Sequence, residues 1–359
     1  MDFPSGFSVK QYLARFPGNK DEAFRLWVCG TACLTILWTW RLWEVRADPP
    51  LLPLLDFLPR WSFAWPLLIS LLSGIFLPRA GWAAFALVLG GAILADETRL
   101  QPQFFSFLVL LGGILPGVSG ARLAARFYLA SLWLYAGLHK LLSPAYLGEE
   151  GVRLFQGIAP GIPLDWLPAL AGAVALAEIL LGLGALGERT RKPTAWAAFF
   201  FHAFAFLSLS PLGRGENQSV WAWNLTLALA GFVYLYDWRD GPIVALRKEK
   251  LFWRAVSFLL LFYPLLYFGG LAHPHLAHCL YALNVPRAHL VRPAGESKTR
   301  IALTGYLPEL RSFLPPTPRA FRESFRRTCR PGEELEIVYP PRYFFPEKSP
   351  ERMECPRTP

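Results

Sequence analysis

Charge is scarce in this chain. Of its 359 residues only 17% are Asp, Glu, Lys or Arg, against about 25% in average soluble chains, and long stretches carry none. A soluble fold would have to bury helix after helix with almost no polar face, so the distribution argues against one. Other features are missing too. Met1 to Glu22 holds Lys10, Arg15 and Lys20 and no apolar core before a small-residue cleavage site, so no signal peptide is expected and the first hydrophobic helix would act as an uncleaved anchor. There is no nucleophile elbow, phosphate loop, Cys-x-x-Cys pair, haem attachment motif or repeat of fixed period. No motif reads DNA or RNA, so nucleic acid is not expected as a partner. The net charge of +10 is read instead as basic loops facing the headgroups of a lipid bilayer.

What is present is apolar sequence in lengths near the roughly 20 residues that cross a bilayer. Nine spans are expected: Ala23–Val45, Ser62–Leu77, Gly81–Ala95, Phe104–Val118, Ala121–Leu142, Trp166–Gly187, Thr194–Leu212, Ser219–Tyr236 and Leu251–Gly270. The fold class is therefore all-α, a polytopic transmembrane helical bundle (23–270) between an N-terminal segment (1–22) and a small α+β tail (271–359). Alternate loops are rich in Lys and Arg: Arg79; Arg122 and Arg126; Arg189, Arg191 and Lys192; Arg239, Arg247, Lys248, Lys250 and Arg254. The positive-inside rule puts these with a cytoplasmic N-terminus, in an inner or plasma membrane, and an odd number of spans leaves the tail outside. In the tail, Ala288–Val291 and Glu334–Tyr339 read as strands and Ala320–Arg327 as helical turns. Cys329 and Cys355 are the candidate disulfide, with free thiols the alternative. Cys29 and Cys33 read as small hydrophobes of the first helix.

Polar residues gather in three places. Asp96 to Gln103, with Asp96, Arg99 and Gln101, joins two spans. His139 and Lys140 end the fifth span. Gly215 to Asn224, with Asn217, Trp221, Trp223 and Asn224, leads into the eighth. Counting crossings puts all three on the outer face, where they could converge on one ligand. Each has a plainer reading: a solvated turn before Pro102, a snorkelling lysine, an interfacial tryptophan belt. Deeper lie Glu178 and His202, each about 10 residues from the loop joining their two spans. At about 1.5 Å per residue they reach equal depth, so a Glu178–His202 contact is geometrically allowed, either as a structural hydrogen bond or as part of a proton path or ligand site, with an unrelated orientation of the two groups as the remaining alternative. His273, His275, His278 and Cys279 have metal-like spacing, but Pro274 interrupts them and no second half-site is evident, so no metal is assigned.

Three of these blocks resemble a known group. Tyr135-Ala-Gly-Leu-His-Lys140 resembles the helix-ending signature of DoxX/MauE-like membrane proteins. Asp96-Glu-Thr-Arg-Leu-Gln-Pro102 and Val220-Trp-Ala-Trp-Asn224 are similar to blocks of an uncharacterised branch of that group. The HTTM proteins, the membrane part of vitamin K-dependent carboxylases, share a similar helix end more distantly. The resemblance covers roughly Asp96 to Trp238. It implies quinone or thiol redox chemistry. The outer loops lack the cysteine pair of the MauE-like members, and the tail is too short for a carboxylase's lumenal domain. Two functions follow as expectations: a redox-linked module holding a quinone or other lipophilic ligand near the outer face, or a non-catalytic structural or assembly subunit of a membrane complex.

Overall fold

Asn19 starts the first described helix. Its side chain accepts from the backbone N–H groups of Asp21 and Glu22, at 3.1 and 3.4 Å, filling donors that a helix start leaves open. The computed structural model describes residues 19–158, 161–236, 238, 240–294, 297–303, 305–340 and 348–355. Residues 1–18 of the expected N-terminal segment lie outside these. Thirteen helices occur among the described residues: α1 Lys20–Trp38, α2 Trp40–Trp43, α3 Ala64–Phe76, α4 Pro78–Ala95, α5 Pro102–Gly113, α6 Ser119–Leu141, α7 Gly151–Ile158, α8 Leu167–Leu186, α9 Arg191–Leu209, α10 Trp221–Gly231, α11 Pro242–Lys248, α12 Leu251–Phe262 and α13 Pro318–Thr328.

Four helical segments are long and apolar enough to cross a bilayer: Pro78–Ala95, Leu164–Leu186, Gln218–Tyr236 and Leu251–Gly269. The chain is a membrane protein by these four, and the expected nine spans are not supported. The reasons are physical. Helices α3 and α5 have 13 and 12 residues, or about 20 and 18 Å, against a hydrocarbon core of about 30 Å. Helix α1 carries Lys20, Asp21, Glu22 and Arg25, α6 carries Arg122, Arg126, His139 and Lys140, and α9 opens on Arg191 and Lys192. These three are long but less apolar.

Helix α6 is the central element, buried along most of its length and packed against α5, α8 and α12. Its seam with α8 is set by glycine. A Cβ on Gly182 would lie 2.5 Å from the Leu134 nitrogen, and one on Gly137 would lie 2.8 Å from the Ile179 nitrogen. Only glycine lets the two backbones approach this closely, the small-residue packing of membrane helices. Between α1 and α10 a hydroxyl pair, Thr31 Oγ1 and Thr226 Oγ1, meets at 2.8 Å. One hydroxyl donates to the other and the acceptor of that pair donates to a carbonyl of its own helix, Trp27 O or Ala222 O, so neither is stranded.

The tail is a small α+β unit. A four-stranded antiparallel sheet runs in the order β2-β1-β5-β6, with β1 Arg287–Ala294, β2 Ser297–Ala302, β5 Glu334–Val338 and β6 Glu351–Glu354. The short pair β3 Tyr306–Leu307 and β4 Ser312–Phe313 sits beside it. Ala288, Leu290, Leu335 and Ile337 alternate onto one face of the sheet and cluster with Phe321 and Phe325 of α13, as a half-buried sheet requires. The strands expected at 288–291 and 334–339 lie in β1 and β5, and the expected helical turns lie in α13. A disulfide joins Cys329 to Cys355, with Cα atoms 5.8 Å apart.

Candidate functional site

The glycine seam brings two charges together. Gly137 stands one turn before Lys140, and the space its missing side chain leaves is bordered by the Glu178 Cβ. Lys140 Nζ donates to both carboxylate oxygens of Glu178, at 2.7 and 2.6 Å. Both side chains are at most 10% exposed. A buried carboxylate needs such a partner, because unpaired charge in low dielectric is costly. An ammonium has three N–H donors. Among the described residues Glu178 is the only hydrogen-bond partner of the Lys140 ammonium.

His202 does not meet Glu178, the contact that equal depth allowed. Its ring is already taken on both sides. Trp133 Nε1 donates to His202 Nε2 at 2.8 Å. That makes Nε2 the acceptor, so Nδ1 carries the hydrogen and donates to Asn224 Oδ1 at 2.9 Å. Asn224 Nδ2 in turn donates to Val220 O at 3.0 Å. Equal depth fixed the height of Glu178 and His202 but not which way round its helix each one faces. Glu178 faces α6.

These groups share one cavity. It holds about 1030 Å³ of open space, its mouth included, and lies between the main core and a smaller cluster built on Tyr146, Phe155 and Leu167. Lys140, Glu178, His202, Trp223 and Asn224 line it among apolar side chains, including Leu132, Ala136, Val174, Phe201 and Leu227. Trp223 is 4% exposed, and its indole N–H has no hydrogen-bond partner among the described residues. Few polar groups set in an apolar concavity is the usual composition of a small-molecule site.

The rest of the expected constellation lies elsewhere. Asp96 accepts from Arg46, from Thr98 and from the Leu52 backbone N–H. Arg99 donates to Leu42 O, Trp43 O and Glu44 O, closing the last turn of α2, and stands over the Phe63 ring. Gln101 bridges Thr98 O to Phe313 O of the tail, both at 2.8 Å. None of the three lines the cavity. Their partners are backbone groups, the Thr98 hydroxyl and Arg46, so they brace the loop and dock the tail.

His139 also turns away from the cavity. Its Nε2 donates to Ala277 O at 3.1 Å, its Nδ1 accepts from Asn284 at 3.2 Å, and Phe268 stacks on it. Asn217 binds the Tyr281 hydroxyl and Ser219. Trp221 donates to Glu216 O and packs edge-on against Trp38. The three polar blocks thus share one end of the bundle because the chain from His273 to Asn284 lies across it. His275 shows this too, donating from Nδ1 to Leu100 O at 2.7 Å, while burial pushes its pKa down to about 3. Among the described residues no group of three His, Cys, Asp or Glu side chains is placed to hold a metal ion.

Sequence reasoning missed Glu97. It accepts from Thr317 at 2.8 Å and from Arg319, and lies 3.4 Å from His273 Nε2. Burial alone would raise its carboxyl, but these partners outweigh burial and hold it below the ordinary range. It also missed Trp133, Arg153, Glu216 and Tyr281 as cavity residues. One available signal was the stripe Ala171, Ala175, Glu178, Gly182 and Ala185 at helical spacing. A carboxylate set among small residues marks a face that a neighbouring backbone approaches closely. No protein-family model, curated protein or solved structure matches this chain.

Proposed function

We propose that the cavity between α6, α8, α9 and α10 holds a lipophilic ligand whose head carries hydrogen-bond acceptors, a quinone being the best fit. The observation that carries this reading is the Lys140–Glu178 ion pair on the wall of an otherwise apolar cavity. The ion pair is neutral overall, and the ammonium keeps a third N–H beyond the two given to Glu178. A neutral carbonyl-bearing head therefore suits the cavity better than a carboxylate or a cation. The DoxX/MauE-like helix end at Tyr135–Lys140, with its HTTM-like counterpart, agrees with quinone chemistry. The oriented chain Trp133, His202, Asn224 borders the same space and would position a proton donor or acceptor near the head.

The tail belongs in an oxidising compartment. The Cys329–Cys355 disulfide supports this, since disulfides persist in oxidising compartments. Titration of the purified protein with a short-chain quinone tests the reading. Saturable binding that Lys140→Ala and the cavity-filling Ala205→Trp both abolish is the expected result. Absence of binding by the wild-type protein would overturn it.

A second reading, a non-catalytic assembly subunit of a membrane complex, is favoured by the structural role of Asp96, Arg99 and Gln101. Its test is deletion after Gly270, which would abolish association with other membrane subunits while the helices still insert.

A further inference from the structure

The cavity has two sides that reach the surface, and they differ. Toward the tail it is closed by Leu280 and Tyr281. The Tyr281 hydroxyl binds Asn217, and its ring packs edge-on against Phe313 of β4. Toward the side of the bundle, the lining residues Arg153 and Phe204 are exposed and Glu216 is half-buried. Phe204 lies five residues before the end of α9, or about 8 Å along the helix. The mouth therefore runs from charged groups at the helix ends to an aromatic side chain on an exposed apolar stretch of α9 that includes Phe200 and Leu207.

One wall of this mouth is a separable piece. Helix α7 packs on α8 and on the turn Tyr146–Glu150 before it. Phe155 belongs to the small cluster with Tyr146, Leu167, Ala171 and Ala175, apart from the main core. Across the mouth α7 meets the loop between α9 and α10 through polar contacts. Arg153 Nη1 lies 3.4 Å from Glu216 Oε1, Arg214 donates to Arg153 O at 3.3 Å, and Arg214 holds Glu216 at 2.5 Å. Arg153 and Glu216 are 52% and 42% exposed. Ion pairs this exposed contribute little and exchange readily with water and headgroups, so they can latch a wall without locking it. Val152 and Phe155 face inward while Arg153 and Gln156 face outward, the two-sided pattern of a helix lying in the membrane interface.

We infer that the cavity is filled sideways from the bilayer, through a portal between α7 and α9 whose movable wall is residues 146–156 and whose latch is Arg153–Glu216–Arg214, so that its occupant is a membrane-dissolved amphiphile and not a water-soluble solute. This rests on the cavity being a ligand site, as proposed above. It adds the route and the compartment from which the ligand comes.

The test places a cysteine at Ala205, which lines the cavity, in full-length protein with Cys29, Cys33 and Cys279 replaced by Ala and the Cys329–Cys355 disulfide kept. In proteoliposomes an N-alkylmaleimide dissolved in the bilayer should label Ala205→Cys at least tenfold faster than a charged, membrane-impermeant maleimide. Adding Arg153→Ala should raise the bilayer-side rate severalfold. Equal or faster labelling from water, or a rate indifferent to Arg153→Ala, would overturn the portal. A separate arm uses the pair Arg153→Cys and Glu216→Cys, with Ala205 intact, closed by a bifunctional maleimide. Closure should slow loading of a short-chain quinone tenfold or more, while quinone loaded beforehand stays bound. Unchanged loading would overturn the portal. Bilayer-side labelling of Ala205→Cys together with no quinone binding in any form would leave the portal standing and reject the quinone reading alone.

Discussion

Lys140 and Glu178 form a two-oxygen ion pair, 2.7 and 2.6 Å, inside a membrane-protein core. The pair exists because Gly137 and Gly182 let α6 and α8 touch backbone to backbone. Removing one partner leaves the other charge buried alone, which costs about 3–5 kcal/mol, whereas replacing both by apolar groups of similar volume is often neutral. Lys140→Met and Glu178→Leu should each lower thermal stability in detergent sharply, and the double variant should recover most of the loss. An additive double variant would show that the pair is not formed.

The tautomer of His202 is fixed by its neighbours. Trp133 donates to Nε2, and Nδ1–H donates to Asn224. Nitrogen NMR of histidine-labelled protein should show the Nδ1–H form for this ring. Trp133→Phe should remove the donor to Nε2 and cost about 1–3 kcal/mol, the price of a buried group left unsatisfied. A predominant Nε2–H signal in the wild-type protein would contradict the assignment.

The tail should come loose in acid. Glu97 is held below its ordinary value of 4.5 by His273, Thr317 and Arg319 despite burial. A depressed carboxylate stabilises the docked form fully above 4.5, and that contribution disappears as pH falls through its lower folded-state value. Burial is the largest single push on Glu333 and Glu336 and acts upward, but Arg292, Arg300 and Arg352 together with the other partners outweigh it, so both are depressed in the same direction. Digestion by an acid-active protease should therefore attack the tail increasingly below about pH 4.5. Glu97→Gln should loosen the tail already at neutral pH and flatten the acid dependence. A tail equally resistant in both proteins at every pH would contradict this docking.

The Cys329–Cys355 bond closes a loop with a sequence separation of 26. Chain-entropy estimates for loops of this size are about 3 kcal/mol. Cys329→Ser should destabilise the tail by roughly that amount while leaving quinone binding unchanged, because the cavity lies beyond the sheet. The two effects can be read in one sample by following tail proteolysis and ligand titration together.

Much of the architecture was legible in sequence because it rests on periodicity. Ala288–Leu290 and Leu335–Ile337 alternate, and they are strands. The charge-poor stretches around Pro78–Ala95, Leu164–Leu186, Gln218–Tyr236 and Leu251–Gly269 are the membrane-crossing candidates. Span number was not legible, since the apolar body of α6 between Arg126 and His139 packs against other helices, and a buried face reads like a lipid-facing one. Its Arg126 is buried against Ala185 O and the Trp238 ring instead of facing headgroups. Within the site, chemistry was readable residue by residue, but the direction in which each side chain points was not. Asp96 and Arg99 have the right types for a site and are consumed by Arg46 and by backbone carbonyls of residues 42–44. Tyr281 and Glu216 came to the cavity through long-range packing that no local pattern encodes.

The most direct test of the cavity's role is mass spectrometry of small molecules carried by the protein as it is released from native membranes. The account predicts a near-stoichiometric lipophilic, carbonyl-bearing molecule bound to the wild-type protein and lost from the folded Ala205→Trp variant. A wild-type protein that carries none, or the same bound molecule in both proteins at equal amount, would contradict it.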